Sequence, residues 1–497
     1  MKKLYLLSVF FSFFLASCQT EFSQFNEKII VFANNDKQID QKEYESLIKI
    51  IEISEETGFK TFKTEDGNIV NKKVGSYLLN YLNAKKIAIS ESNIWQPNSE
   101  SAKKTNFNIN VFLENSGSMN GYMNDPSTSF KNSVYSLLTR LKLFAENDSL
   151  NLYLVNQQDQ LLYKNASNDD VERFKNILNP ADFGRISGGK TGISDLNDLI
   201  KRCLNKVNDN NMSVFISDCI YSPGRPVKSA SLYLADQKQG IFLNFATKLK
   251  EKDLSVIILQ LFGKFQGTYY NRFEESIQII DPIDRPFYIW IIGTPYQIES
   301  IIKSKKLDEI DGGYSNKLVL QKIKEVTQPA FKISYKPRIG DFNSIDLAKG
   351  IITDASISDD PSTKGQFGFQ LAVDFSNGLQ DEKYYLDTAN YELLDNKYSI
   401  IAEINPDKTS AALKGFTHIL KLQTRELKDQ TLRIDLIGKT PSWIYSSNSD
   451  DDSKIGIDIS EGKKTFGFKY LVDGVCDAFY PKSNSNIINS ISIIIKK

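Results

Sequence analysis

Apolar segments of strand length alternate with amphipathic segments of helix length along residues 107–305, and this alternation constrains the fold more than any other sequence feature. The apolar runs are short and continuous, as is typical of strands buried on both faces. Parallel strands need helical crossovers between them, so the pattern predicts an α/β fold with a doubly wound, mostly parallel sheet. The predicted strands are 107–113, 150–155, 160–164, 212–217, 254–260 and 287–292, and the predicted helices are 130–145, 170–178, 194–207, 232–250 and 296–305.

The regions on either side of this alternation have different patterns. After residue 329, short alternating segments are separated by Gly, Asp, Asn and Pro, which predicts a C-terminal β-sandwich-like domain. Within it, Ser446–Ser453 carries three consecutive aspartates and is expected to be a solvated loop. Upstream, we expect a small N-terminal α+β region with a strand at Ile29–Phe32 and a capping box formed by Asp40 and Glu43. The predicted domains are 1–18 (signal peptide and lipidated cysteine), 19–106 (a tether over Gln19–Gln24, an accessory domain and a linker at 96–105), 107–306 and 330–497.

The first 18 residues have the features of an export signal. Lys2 and Lys3 precede an apolar segment, Leu4–Leu15, that is too short to span a bilayer. Leu15-Ala16-Ser17-Cys18 resembles the lipobox of bacterial lipoproteins, which implies a lipid on Cys18 and an anchored protein of the cell envelope. In that family an aspartate after the cysteine retains the protein in the inner membrane. Here Gln19 implies the outer membrane, with the face undecided. The alternative is an ordinary secretory signal with an incidental cysteine.

Composition excludes several classes of function. Lys+Arg and Asp+Glu are equal at 61 each, so no overall positive field favours nucleic acid. A single histidine, His418, leaves no Ser/His/Asp group and no histidine zinc cage, and we predict no enzyme. Apart from Cys18, the cysteines are Cys203, Cys219 and Cys476, which we expect to be buried thiols, with a Cys203–Cys219 bridge left open.

Polar side chains follow two predicted strands at the points where those strands end. Glu114, Ser116 and Ser118 follow the first strand, Asp218 follows the strand at 212–217, and Thr191 lies directly before a helix. Because the carboxyl ends of parallel strands meet at one edge of a sheet, these loops are expected to converge. Carboxylate and hydroxyl oxygens suit Mg²⁺, or Mn²⁺, so we predict a metal site there. The alternative is a Ser/Gly turn that caps the following helix.

These residues resemble the metal-ion-dependent adhesion site of the von Willebrand factor type A (VWA) domain. That family has D-x-S-x-S, then a threonine, then an aspartate after an apolar strand; the corresponding residues here are Glu114-x-Ser116-x-Ser118, Thr191 and Asp218. The resemblance covers about residues 107–305. It implies a VWA fold, a bound Mg²⁺ and a protein or peptide partner whose acidic side chain completes the metal shell. Glu114 stands where the family has aspartate, and its extra methylene could either reach the ion directly or crowd it.

A candidate ligand surface lies beside the predicted metal site. Aromatic residues and arginine are favoured anchors at recognition surfaces, and this surface comprises Tyr122, Arg225, Tyr269, Tyr270 and Arg272. The alternative is that the insertion at 262–286 packs on itself as a hairpin. We therefore expect a lipid-anchored envelope protein that binds a partner through a divalent cation. The alternatives are a metal-assisted phosphate or sulfate ester hydrolase with Ser116 or Ser118 as nucleophile, and a structural scaffold with an inactive site.

Overall fold

The computed structural model forms two compact units, Met1–Thr105 and Asn106–Lys497. Cys18, Thr191, Arg225 and the predicted linker lie outside the residues that it describes. Those residues are 20–36, 38–64, 69–87, 89, 94, 107–145, 149–186, 195–223, 229–347, 349–394, 397–406, 413–481 and 486–497.

The described part of the first unit is helical. The prediction of an α+β region is therefore wrong, because the expected strand is absent from the described residues. It contains α1 (Glu21–Asp36), α2 (Gln41–Ile53), α3 (Asn71–Ala84) and a 3-10 helix at Thr57–Phe62. The expected strand Ile29–Phe32 lies within α1, where Phe25, Ile29 and Ala33 are buried. Their spacing of four residues places them on one face of a helix. This helical periodicity, and not the short apolar run, indicates the secondary structure of the segment.

Side-chain hydrogen bonds define the starts of α1 and α2. The capping box is confirmed, because Glu43 N donates to Asp40 Oδ1 at 2.8 Å and Asp40 N donates to Glu43 Oε2 at 3.1 Å. Helix α1 begins at Glu21, and the carboxylate of Glu56 accepts from Glu21 N at 2.8 Å and from Phe22 N at 3.0 Å. Four free amides at a helix start need such acceptors. Residues 21–24 are therefore helical and not part of a tether.

The second unit contains a seven-stranded sheet in the order β3-β2-β1-β4-β6-β5-β7. Strand β1 pairs in parallel with β2 and β4, whereas the remaining pairings are antiparallel. The fold is thus mixed α/β, with the predicted parallel arrangement at the centre of the sheet. Its elements are β1 (Asn108–Glu114), α4 (Asn120–Met123), α5 (Ser129–Ala145), β2 (Leu150–Val155), β3 (Asp159–Tyr163), α6 (Asn168–Asn176), α7 (Leu196–Lys206), β4 (Asn211–Ser217), α8 (Ala230–Glu251), β5 (Ser255–Tyr270), β6 (Ser276–Gly293), α9 (Pro295–Lys303) and β7 (Asn316–Gln321).

The long hairpin of β5 and β6 departs from a doubly wound arrangement. Residues 262–286, predicted as an insertion, continue both strands, so the hairpin alternative is confirmed. Only residues 271–275 connect β5 to β6, and so short a link permits antiparallel pairing alone. Strand β6 lies between β4 and β5, and β5 is consequently not adjacent to β4.

The rest of the second unit adds two larger sheets, β12-β15-β18-β10-β9 and β13-β14-β11-β8, and the two-stranded sheet β16-β17. Phe342 of the first contacts Phe367 of the second, with ring centroids 6.1 Å apart. The elements are β8 (Ala330–Ile339), β9 (Asp341–Asp346), β10 (Ile351–Ser356), β11 (Phe367–Asp374), α10 (Glu382–Leu386), β12 (Tyr391–Leu393), β13 (Tyr398–Ile404), β14 (His418–Thr424), β15 (Gln430–Ile437), α11 (Ser442–Ser446), β16 (Asn448–Ser449), α12 (Ile459–Gly462), β17 (Thr465–Phe466), α13 (Phe468–Phe479) and β18 (Ile487–Ile495).

The regions predicted as separate domains, 107–306 and 330–497, share one continuous hydrophobic core. Helix α13 packs closely on α8, and a Cβ at Gly474 would lie 2.7 Å from the carbonyl oxygen of Lys238. The ring of Phe468 stacks on that of Tyr288 in β6, with centroids 3.9 Å apart. These contacts join segments far apart in sequence, which is why local patterns suggested two domains.

Two further findings concern the cysteines and the apolar character of the helices. Cys203, Cys219 and Cys476 are buried free thiols, as predicted. None of the described helices combines the length and the apolar character needed to cross a bilayer.

A glycine directly after the candidate metal loop tests the packing of the hairpin. A Cβ at Gly121 would lie 2.2 Å from the ring of Phe265 in β5. We expect Gly121→Ala to lower the free energy of unfolding by about 1–3 kcal/mol, because the buried ring must shift. Gly184→Ala is the control, since nothing lies within 4 Å of its Cβ position. Equal urea denaturation midpoints for the two variants would contradict the close packing.

Candidate metal site at the carboxyl edge of the sheet

The parallel pairing of β1 with β4 brings two predicted site segments together. Leu113 is paired with Ile216, so the next residues, Glu114 and Ser217, are neighbours. Ser217 Oγ donates to Glu114 Oε2 at 2.5 Å and accepts from Cys219 N at 2.7 Å. Glu114 is only 2% exposed. Its carboxylate is therefore buried and oriented by β4.

Two hydroxyls connect the β1 loop to Asp218. The Oγ atoms of Ser116 and Ser118 are 2.9 Å apart, and the hydroxyl of Ser118 is near enough to Asp218 to lower the pKa of its carboxyl. Ile220 N donates to Asp218 Oδ1 at 3.3 Å. The structure thus brings together four of the five predicted metal-site residues; the fifth, Thr191, lies outside the described part of the chain.

Among the described site residues, Asp218 has a buried carboxylate oxygen that lacks a hydrogen bond. It is 1% exposed, and its Oδ2 has no hydrogen-bond partner among the described protein atoms. Burial raises the pKa of Asp218, whereas the positive charge of Arg285 and the nearby hydroxyl of Ser118 lower it; burial prevails. A buried carboxylate oxygen without a partner is costly. A cation beside Oδ2 would remove that cost.

The donor set fits a hard divalent cation. Among the described residues, no group of three or more His, Cys, Asp and Glu is arranged to hold a metal. The described part of the site instead offers two carboxylates, Glu114 and Asp218, together with the hydroxyls of Ser116 and Ser118. Mg²⁺ accepts oxygen ligands and keeps several waters, so this mixed set suits it better than it suits a thiolate-binding or imidazole-binding metal.

The predicted ligand surface is wrong at two residues. Tyr122 and Tyr269 are almost completely buried, and their hydroxyls donate to Pro286 O and to Asp452 Oδ2, both at 2.6 Å. Both residues point into the core because the hairpin folds over the metal loop.

Only part of that surface is accessible. Tyr270, at the end of β5, is 49% exposed. Arg272 is partly buried and forms an ion pair with Asp451, with Nε 3.2 Å from Oδ1. The remaining member, Arg225, lies outside the described residues.

Sequence reasoning missed two charged residues near the site. Arg285 is completely buried, and Asp452 is only 3% exposed although it lies in the segment predicted to be a solvated loop. Asp452 accepts from Tyr269 and, at 3.0 Å, from Arg272 N. These partners are about 180 residues away in sequence, and no local pattern indicates such a pairing.

No protein-family model, curated protein or solved structure matches this chain.

The raised pKa of Asp218 predicts how its replacement changes stability. A carboxyl whose pKa is higher in the folded protein binds its proton more tightly there, so it stabilises the fold when protonated and less as the pH rises through that pKa. With chelator present, Asp218→Asn should therefore unfold at a higher temperature than the wild type at about pH 7. The difference should shrink as the pH falls toward about 4.

Asp170→Asn is the control of opposite sign. Hydrogen bonds from Ser167 lower the pKa of Asp170, so its ionised form stabilises the fold and its replacement should lower the unfolding temperature at neutral pH. A shift of Asp218→Asn in the same direction as Asp170→Asn would show that the Asp218 carboxylate is not destabilised by burial.

Proposed function

We propose that this protein is a lipid-anchored protein of the cell envelope that binds a protein or peptide partner through a divalent cation. Mg²⁺ or Mn²⁺ would be held by Glu114, Ser116, Ser118, Thr191 and Asp218 on a VWA-like domain. A lipid on Cys18 would anchor the chain, with the outer membrane as its location. The lipobox-like sequence supports the anchor, and the arrangement of side chains supports the cation.

The observation that carries the proposal is Oδ2 of Asp218, a buried oxygen without a hydrogen-bond partner among the described residues. Asp218 lies at the edge where β1 and β4 end, near the Ser118 hydroxyl, which is itself 2.9 Å from that of Ser116. A buried anionic oxygen with adjacent hydroxyls is an incomplete set of interactions, which a cation would complete. Among the described residues, no comparable observation supports hydrolysis.

The charge of the site indicates the chemistry of the partner. Two carboxylates balance one divalent ion, and Mg²⁺ retains exchangeable water in its shell. An acidic side chain could replace one water and gain a direct contact with the metal. Ser118 is half-buried and Gly117 is also partly accessible, so a partner would approach the ion over this loop. Exposed Tyr270 offers an aromatic contact elsewhere on the same unit.

Calorimetric titration tests the cation site directly. The chain from Gln19 onward, without lipid, should bind Mg²⁺. Ser116→Ala removes a hydroxyl ligand and Asp218→Asn removes a negative charge, so each should weaken binding by at least about tenfold. Asp209→Asn is the matched control: Asp209 lies just before β4, at its opposite end, and its side chain is 81% exposed. Binding that is equal in all four proteins would place the ion elsewhere.

Partner capture tests the second part of the proposal. Immobilised wild-type protein should retain a partner from an envelope extract when Mg²⁺ is present, release it on addition of chelator, and retain it again when Mg²⁺ is restored. Ser116→Ala should lose the partner, whereas Asp209→Asn should keep it. Retention that chelator does not affect would contradict recognition through a metal.

A further inference from the structure

Arg285 is a buried cation on β6, three residues before Tyr288, which is paired with Ser217 at the edge that holds the candidate metal site. Its side chain is completely buried, and its Cζ lies 4.6 Å from the ring centroid of Tyr269 and 5.6 Å from that of Phe265. Nη1 donates to Gly462 O at 3.4 Å, whereas Nε and Nη2 have no hydrogen-bond partner in the described part of the protein. Because no solvent reaches this guanidinium, its charge acts on neighbouring groups with little screening.

Two buried carboxylates lie within the influence of this charge. One is Asp218 of the candidate metal site, and the other is Asp452, which Tyr269 and Arg272 N hold by hydrogen bonds. Arg285 lowers the pKa of both, against the effect of their burial. Arg285 is thus a shared counter-charge between β4 and the segment that contains Asp452.

We propose that Arg285 sets the cation affinity of the metal site: its charge opposes binding of the ion at Asp218, and Asp452 offsets part of that opposition. The inference rests on the cation site proposed above. Arg285 and Asp452 form no hydrogen bond with the described metal-site residues, yet both influence how tightly the metal is held.

The sign of the effect follows from charge alone. If Asp218 is ionised before binding, a divalent ion adds two positive charges near Arg285. If Asp218 is protonated, binding releases that proton, and the site still gains one positive charge. Repulsion from Arg285 therefore weakens binding in either case. The negative charge of Asp452 acts in the opposite direction, so its loss should weaken binding further.

Calorimetric titration of Mg²⁺ into three variants tests this inference. Arg285→Met keeps an unbranched side chain against Tyr269 but removes the charge, and we expect affinity to rise by about tenfold or more. Asp452→Asn keeps the size of the side chain but removes the offsetting charge, and we expect affinity to fall by a factor of about three to ten. Circular dichroism establishes that each variant is folded.

Lys264→Met is the matched control for charge removal. Lys264 lies on the same hairpin, and its ion pair with Asp284 is exposed, with side chains 40% and 45% accessible. Solvent screens this charge, so its loss should change the affinity less than about twofold. An effect as large as that of Arg285→Met would mean that net charge, and not the buried position, determines affinity.

The outcomes separate this inference from the proposed function. Unchanged Mg²⁺ affinity in folded Arg285→Met overturns the role of Arg285 while leaving the cation site intact. If that variant does not fold, unchanged affinity in Asp452→Asn overturns it. Binding by Arg285→Met together with a flat wild-type trace supports the opposing charge but rejects the cation site of the native protein. Flat traces for both reject both proposals.

Discussion

The parallel pairing of β1 with β4 is the interaction on which the candidate site depends. Pairing of Leu113 with Ile216 fixes the register, and one further residue along each strand places Glu114 against Ser217. A shift of register by one residue would direct each side chain to the opposite face. The apolar residues of both strands are buried, so such a shift would expose core side chains. The hydrophobic core thereby fixes the positions of polar groups that contribute little to it.

The C-terminal part of the second unit completes the surroundings of that edge. Ser447 Oγ accepts from Gln260 Nε2 at 2.8 Å, Tyr288 OH lies 3.2 Å from Thr465 Oγ1, and Gly462 O accepts from Arg285. Arg285 is completely buried, and exclusion of solvent strengthens the electrostatic interactions of its charge with neighbouring groups. The electrostatics of the proposed metal site are consequently a property of the whole second unit, not of the three loops alone.

Sequence reasoning predicted those parts of the structure that depend on local patterns. The strands at 107–113, 150–155 and 212–217 correspond to β1, β2 and β4, because continuous apolar runs identify buried strands. The polar residues at their ends could then be placed by the geometry of a parallel sheet alone. For this reason the sequence predicts that four side chains lie close together: Glu114, Ser116, Ser118 and Asp218.

The errors have equally specific causes. Ile29–Phe32 is too short an apolar run to distinguish strand from helix, and the four-residue spacing of Phe25, Ile29 and Ala33 decides for the helix. Tyr269 was expected at a surface because an insertion gives no local sign of what covers it. The burial of Arg285 and Asp452 depends on segments distant in sequence, and charged residues are rarely buried. The position of these residues in the fold, and not their residue type, determines that they are buried.

The insertion of β6 between β4 and β5 also has a consequence for the order of folding. The edge of β4 that faces away from β1 cannot be paired until residues 276–293 have been synthesised. Arg285 is synthesised with that strand, but Gly462, which accepts its hydrogen bond, and Asp452, which accepts from the neighbouring Tyr269, come much later in the chain. Contacts of such long sequence separation form slowly. During synthesis the guanidinium would therefore remain hydrated, and desolvation of the charged groups beside the site would be among the last steps of folding.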